Sequence, residues 1–191
     1  MDDFSDNQYM IRRKILTIFG AKFHVYNNIG ELILFSKQKA FKLKEDIRVF
    51  ADESMSTERL VIKARQIVDF SAAYDIVDQA ENRKIGTLRR KGWKSIVRDS
   101  WEFLSEDDQP IAMLTEDSML LSLLRRFLCN LIPQTYHVMQ NGKTLITYKQ
   151  NFNPFVLKIR VSIDPESRDI IDPRLVLAGG ILLAAIEGRQ K

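Results

Sequence analysis

The sequence contains little of what stabilises or anchors small secreted and membrane proteins. Its 191 residues include a single cysteine, Cys129, so no disulfide can form within the chain. Cys129 lies in the apolar stretch LLRRFLCNLI, where we expect a small buried hydrophobic residue and not a reactive thiol. The acidic N-terminus, MDDFSDNQYM, lacks the basic start and the apolar core of a secretory signal. We therefore expect a cytoplasmic chain with a disordered start over residues 1–8. Because no linker, low-complexity stretch or change of composition divides the rest, we predict one domain over residues 9–191, and we expect a monomer.

Residues that carry catalysis or bind metals are equally scarce. The two histidines, His24 and His137, fall in predicted strands without neighbouring ligand types, whereas a metal site needs three or four ligands. The sequence contains no P-loop, no G-x-S-x-G nucleophile elbow and no H-E-x-x-H zinc motif. We therefore predict no enzymatic activity, no metal and no cofactor, and expect both histidines to face water or to form hydrogen bonds in the sheet.

No apolar run is long enough to cross a membrane. The longest, residues 175–186 in DPRLVLAGGILLAAIEGRQK, holds twelve apolar or small residues between Arg174 and Glu187. A helix of this length spans about 18 Å, whereas a bilayer core is about 30 Å thick. The pair Gly179-Gly180 lacks the G-x-G-x-x-G spacing of a nucleotide-binding loop. The run therefore predicts a buried helix.

Most of the remaining chain shows the alternation of short strands. In FVLKIRVSI, residues 155–163, apolar residues alternate with polar ones, which places one face in a core and the other in water. Asn141-Gly142 between two such runs is a strong hairpin signal. The full set of predicted strands comprises residues 9–18, 22–26, 31–36, 47–51, 59–64, 73–78, 84–88, 100–104, 110–114, 135–139, 144–148 and 155–163.

Two segments favour helices. Residues 116–131 carry apolar residues at helical spacing, with Thr115 as a candidate N-cap, Glu116 and Asp117 in the first turn and Pro133 after the end.

The C-terminal helix has no polar face over residues 175–186, so protein must surround it on every side. An all-β domain can surround a helix by closing its sheet around it. We therefore predict a mainly β fold: a closed antiparallel barrel of about twelve strands around the C-terminal helix, with an amphipathic helix at about 116–131. The expected core contacts of the central helix are Leu175, Leu177, Ile181, Leu182 and Ile186.

The positive charge is concentrated in one segment. Residues 83–98 contain no acid, and the rest of the chain is net negative although the whole carries +4. A local basic patch favours an anionic partner such as phosphate head groups or nucleic acid. Its seven basic residues are Arg83, Lys84, Arg89, Arg90, Lys91, Lys94 and Arg98.

A family resemblance covers about residues 9–187. The chain resembles the LURP-one-related family, which is related to the tubby C-terminal domain and to phospholipid scramblases. The resemblance implies a barrel around a hydrophobic helix. Tubby domains bind phosphoinositides through basic residues, and scramblases are named for calcium-dependent lipid movement. The acids Asp164, Glu166, Asp169 and Asp172 form an irregular run unlike a scramblase calcium segment. The matching stretches are YMIRRKILTIFGAKFHVYNNIGELIL, YDIVDQAENRKIGTLRRKGWKSIVRDSWEFL, MLTEDS with LLRRF, and IDPRLVLAGGILLAAI.

Three functional hypotheses follow. The first is a non-enzymatic barrel that binds anionic phospholipid or phosphoinositide head groups peripherally at a membrane. Each basic residue near an anionic surface contributes about 1 kcal/mol, and a tryptophan at a turn can insert at head-group level. The second is a scramblase-like membrane-active protein. The third is a nucleic-acid or protein interaction module, for which the scarcity of aromatics beside the basic residues is unfavourable. The candidate lipid-binding residues are Arg89, Arg90, Lys91, Trp93, Lys94 and Arg98.

Overall fold

The computed structural model describes residues 4–14, 20–38, 46–65, 72–91, 100–116, 134–151 and 156–187. Within these ranges lie twelve strands, a 3-10 turn (Pro165–Ser167) and the helix α1 (Pro173–Glu187). Each of the twelve predicted strands has a counterpart, while residues 15–18 and 155 of the predicted set lie outside the described residues. The strands are β1 (Gln8–Lys14), β2 (Ala21–Tyr26), β3 (Leu32–Gln38), β4 (Ile47–Phe50), β5 (Glu58–Ala64), β6 (Ala73–Asp78), β7 (Arg83–Arg90), β8 (Ser100–Leu104), β9 (Pro110–Glu116), β10 (Thr135–Gln140), β11 (Lys143–Gln150) and β12 (Val156–Ile163).

The strands form one closed antiparallel barrel. Each strand pairs with its neighbours in the sequence, and β12 pairs with β1 over seven residues to close the sheet. Closure leaves no sheet edge exposed to another chain. The prediction of a closed, mainly β barrel of about twelve strands is confirmed.

Side-chain alternation and turn chemistry set the register of this barrel. In β12, Leu157, Ile159, Val161 and Ile163 are buried, whereas Lys158 and Arg160 are exposed. Asn141 and Gly142, which join β10 to β11, both adopt positive φ, 49° and 81°. Two such residues produce the I′ turn whose twist matches that of the flanking strands.

The helix α1 runs through the barrel. A Cβ on Gly179 would lie 3.1 Å from the Tyr148 hydroxyl of β11 and 3.2 Å from Phe103 of β8. A Cβ on Gly180 would lie 2.3 Å from Ile11 of β1. Because glycine has no Cβ, the helix can pack closely against β1, β8 and β11 at these two positions, where a larger residue would clash.

The predicted core contacts of α1 are confirmed where the structure describes them. Leu175, Leu177, Ile181 and Leu182 are all buried, and the side chain of Ile186 lies outside the described residues. No helix in the described ranges is long and apolar enough to span a bilayer.

Polar contacts at two places along α1 hold it in the barrel. At its start, Arg174 donates hydrogen bonds to Asp172 and, at 2.6 Å, to Asp78 at the end of β6. In the interior, the Tyr148 hydroxyl donates to the Val176 carbonyl at 2.8 Å. Burial raises the pKa of Tyr148, which keeps this hydroxyl a donor.

The predicted helix at 116–131 is largely untested. Thr115 and Glu116 do not cap or start a helix, because they continue β9 and lie opposite His137 and Tyr136 of β10. Residues 117–131, including Cys129, lie outside the described residues.

The start of the chain is described from Phe4. Of the residues expected to be disordered, the Phe4 and Asp6 carbonyls and the Asn7 side chain accept hydrogen bonds from Arg168. Strand β1 begins at Gln8, one residue before its predicted start.

The direction of α1 distinguishes the two ends of the barrel. We call the end where α1 begins the helix-start rim; it carries the turns that follow β2, β4, β6, β8 and β10. We call the opposite end, where β1, β3, β5, β7, β9 and β11 finish, the helix-end rim.

Candidate anionic-ligand surface

The structure does not bring all the predicted lipid-binding residues to one surface. Leu88 lies 3.7 Å from a Cβ built on Gly179, so Leu88 faces the barrel interior. Strand alternation then directs Arg90 inward as well, opposite the buried Trp101, and directs Arg89 and Lys91 outward. Trp93, Lys94 and Arg98 lie outside the described residues.

Arg89 and Lys91 share one carboxylate. Glu102 on β8 accepts from Arg89 at 2.7 Å and from Lys91 at 2.8 Å, and its side chain is only 11% exposed. Burial alone would raise the pKa of Glu102, but the Lys91 and Arg89 cations hold it below its ordinary value. The two outward cations therefore present about one net charge to a ligand.

The first two basic residues of the segment are also paired. Arg83 contacts Glu81 at 2.9 Å and Glu106 at 2.6 Å. Lys84 contacts Asp108 at 2.8 Å. Acids from adjacent strands and turns thus neutralise much of a segment that contains no acid of its own.

Asp108 anchors a larger network over the outer wall of β7. Arg65 bridges Asp108 and Asp75 at 2.7 and 2.6 Å, and the buried Thr87 hydroxyl donates to both carboxylates. Hydrogen bonds from Arg65 and Lys84 lower the pKa of Asp108 well below its usual range. With every charge opposed by another, this network fastens the β8–β9 turn to the wall and leaves little charge for a ligand.

A different basic surface lies on the opposite wall. We call it the basic belt: six cations on the outer face of five consecutive strands, β11, β12, β1, β2 and β3. Lys37, Lys149, Lys158 and Arg160 are exposed, and Arg12 and Lys22 are partly exposed. The six members of the belt are Arg12, Lys22, Lys37, Lys149, Lys158 and Arg160.

The belt places like charges directly opposite one another at three strand junctions. The pairs are Arg12 with Lys158, Lys149 with Arg160, and Lys22 with Lys37. Like charges in this position repel, at about 0.2–1 kcal/mol each. The fold tolerates this repulsion three times on one wall.

No acid among the residues that the structure describes neutralises the belt charges. In the part of the chain that the structure describes, none of the six side chains forms an ion pair or a hydrogen bond. The five strands that carry the belt contain no Asp or Glu. The belt is consequently available to an external anion.

Sequence reasoning did not identify the belt because its residues are separated along the chain. No two belt residues are closer than two positions apart, whereas the segment 83–98 is a visible cluster. Strand alternation indicates that Lys158 and Arg160 share one face, but only the pairing of β12 with β1 and β11 joins them to Arg12 and Lys149.

Both histidines lie in strands, as predicted. His24 is buried and lies 2.9 Å from Glu53, and His137 contacts the Thr147 hydroxyl at 3.2 Å, as expected of hydrogen-bonded strand residues. The described residues include no group of three or more metal-ligating side chains. In the irregular acidic run, Asp164 and Glu166 face Lys143, and Asp172 contacts Arg174.

Comparison with known proteins adds one result. No curated protein and no solved structure matches the chain. The sequence profile of the LURP-one-related family matches residues 32–184, which is most of the chain. The match extends from β3 through most of α1, so it includes the greater part of both the barrel and its central helix. The protein with this helix-filled barrel belongs to the LURP-one-related family.

Proposed function

We propose that this protein is a non-enzymatic barrel that binds anionic phospholipid head groups peripherally, through the basic belt. The observation that supports this most strongly is the set of three cation pairs for which the described part of the chain supplies no counter-charge. A surface that keeps such repulsion is stabilised when an anion is bound between the charges.

The number of charges is adequate for reversible membrane binding. Each Lys or Arg near an anionic bilayer contributes about 1 kcal/mol, so six give an attraction of about 6 kcal/mol before the entropy of association is subtracted. Because the attraction acts over about 8–10 Å in physiological salt, we expect binding to weaken steeply as salt rises.

Two of the residues first predicted for this role, Arg89 and Lys91, lie on the other side of the barrel. β1 and β7 are six strands apart in a twelve-stranded barrel, so Arg89 and Lys91 lie opposite the belt. One membrane plane cannot contact both walls. We favour the belt because Glu102 already binds Arg89 and Lys91.

The placement of α1 gives no support to scrambling as a second function. Membrane insertion of this segment would require breaking the Arg174–Asp78 and Tyr148–Val176 contacts and exposing an interior filled by the helix.

Vesicle co-sedimentation across head groups tests the proposal. The experiment compares three kinds of vesicle: phosphatidylcholine alone, phosphatidylcholine with about 30% phosphatidylserine, and phosphatidylcholine with a few per cent of a phosphoinositide. Each is tested in low and high salt, with and without competing DNA or RNA. We expect binding only to the anionic vesicles, weakened by salt and retained in the presence of nucleic acid. Equal binding to neutral vesicles would contradict the proposal. If a low concentration of DNA or RNA displaced the protein from the anionic vesicles, a nucleic-acid module would be favoured instead.

A further inference from the structure

Arg13 differs from the belt cations because it faces the barrel interior. It lies directly opposite the buried residues Phe23 on β2 and Leu157 on β12. Its neighbour on the same face of β1, Ile11, touches the central helix at Gly180. The guanidinium lies over the Phe23 ring, 5.8 Å from its centroid. Arg13 is therefore a cation on the inner face of the wall, close to the helix-end rim.

The Arg13 guanidinium lacks the partners that an inward cation normally has. Its Nε and Nη1 atoms are buried, and neither forms a hydrogen bond in the structure. No Asp or Glu forms an ion pair with it within the described ranges. Burial lowers its pKa with no acid to oppose the effect.

Two buried donor atoms without acceptors are unfavourable, although the Arg13 side chain as a whole is partly exposed. An inward cation is normally paired and hydrogen-bonded, because leaving it without partners is energetically costly. The Phe23 face offsets part of this cost but supplies no hydrogen-bond acceptor.

We propose that Arg13 is an anion-binding residue, holding one oxyanion group, a phosphate or a carboxylate, on the inner side of the helix-end rim. The guanidinium presents parallel N–H donors at the spacing of two oxyanion oxygens, which makes it suited to both groups. The site is separate from the basic belt, since Arg12 and Arg13 project from opposite faces of β1.

Thermal unfolding of the full chain in increasing inorganic phosphate tests the proposal, with acetate as the carboxylate probe and chloride as the ionic-strength control. We expect the midpoint of the wild type to rise with phosphate or acetate and not with matched chloride. The variant Arg13→Met should lose this response, with the apparent affinity falling on the order of tenfold or more. Arg48→Met, which removes the same charge from an exposed position outside the belt, should keep it.

The unfolding midpoint of Arg13→Met without added anion gives a second readout. An anion-binding role and a purely structural role of Arg13 predict opposite changes in this midpoint. Replacing an unpaired cation by an apolar residue of similar length should leave the midpoint unchanged or raise it. A lowered midpoint together with an unaltered phosphate response would overturn the proposal. If Arg13→Met does not fold, Arg13→Lys replaces it, because this variant keeps the charge and removes the paired donors. An Arg13→Lys variant that binds phosphate as tightly as the wild type would also overturn the proposal.

If inorganic phosphate stabilises the protein in the absence of vesicles, a free phosphate ion is sufficient as the ligand. A response seen only with a lipid head-group phosphate in a vesicle would place the anion on a membrane lipid. A response to neither probe would overturn the Arg13 site while leaving the belt proposal intact, because the belt is tested by vesicle binding and not by thermal shift.

Discussion

Arg174 donates a 2.6 Å hydrogen bond from Nη1 to Oδ2 of Asp78, joining the first turn of the central helix to the end of β6. The two residues are 96 positions apart in the sequence, and their side chains are only 18% and 8% exposed. This contact fixes where the helix enters the barrel and supplies the first test of the fold.

Arg174→Met should destabilise the protein by about 3 kcal/mol, because it leaves the buried Asp78 carboxylate without its cation. Urea unfolding followed by far-UV circular dichroism measures the loss. The control is Arg83→Met, which removes an arginine from pairs with Glu81 and Glu106 that are about half exposed. We expect the control to change stability by less than about 1 kcal/mol. Equal effects of the two variants would contradict the assigned role of Arg174.

Gly86→Ala tests the close packing of the helix against β7. A Cβ at Gly86 would lie 2.7 Å from the Leu104 carbonyl oxygen and 2.7 Å from Leu175 of the helix. The backbone oxygen cannot move aside cheaply, so we expect destabilisation of about 1–3 kcal/mol. Chemical denaturation measures it, and a variant as stable as the wild type would show that the helix does not approach β7 this closely.

Stability should fall as the pH is lowered below about 5. Hydrogen bonds from Arg65 and Lys84 lower the pKa of Asp108. Burial opposes this shift at Asp78, but the Glu81 amide and Arg174 hold the pKa of Asp78 below its ordinary value too. A carboxylate with a lowered pKa in the folded state adds stability above its unfolded pKa of about 4, and this stability is lost as the pH falls through the folded pKa.

Urea midpoints measured from pH 6 to pH 3 check this pH dependence. The variant Asp108→Asn cannot titrate at this position and should show a shallower decline than the wild type. A decline of the same slope in both proteins would mean that the network around Asp108 does not contribute to acid unfolding.

Arg89 and Lys91 provide a test of which wall meets the membrane. The double variant Arg89→Gln, Lys91→Gln removes two charges from the wall opposite the belt. Charges beyond one Debye length from the contact are largely screened, so vesicle binding should change by no more than about twofold. A large loss of binding would move the site from the belt to β7.

The strands and the central helix were predictable because each has a local signal. Alternation in β12, the Asn141-Gly142 turn and the apolar run of α1 all specify structure without reference to distant residues. The barrel followed from the helix, since an apolar helix needs an enclosing wall.

The charge distribution was less predictable because it depends on pairing between strands. Glu102 is eleven positions from Lys91 in sequence, yet it binds Lys91 and Arg89 across the β7–β8 ladder. Conversely, Arg12 and Lys158 lie at opposite ends of the sequence and become neighbours only when β12 closes against β1. The basic cluster in the sequence therefore overstated the free positive charge at Arg89 and Lys91.

The assignment of Arg90 shows the same limit at a single residue. Three consecutive basic residues look equivalent in the sequence RRK, but strand alternation sends the middle one inward. Which residues of β7 face inward follows from Leu88, which lies against the central helix. No local sequence pattern specifies this contact.

The central claim, that the basic belt binds anionic membranes, is tested most directly by comparing two triple variants of equal charge. Lys149→Gln, Lys158→Gln, Arg160→Gln removes three exposed cations from the belt. Arg48→Gln, Arg83→Gln, Lys91→Gln removes three exposed cations that are paired with acids outside the belt strands. The measurement is the phosphatidylserine vesicle concentration that binds half of each protein. We predict that the belt variant needs on the order of 100-fold more lipid than the wild type, whereas the control stays close to the wild type. Equal losses in both variants would show that only net charge matters, and undiminished binding of the belt variant would contradict the claim outright.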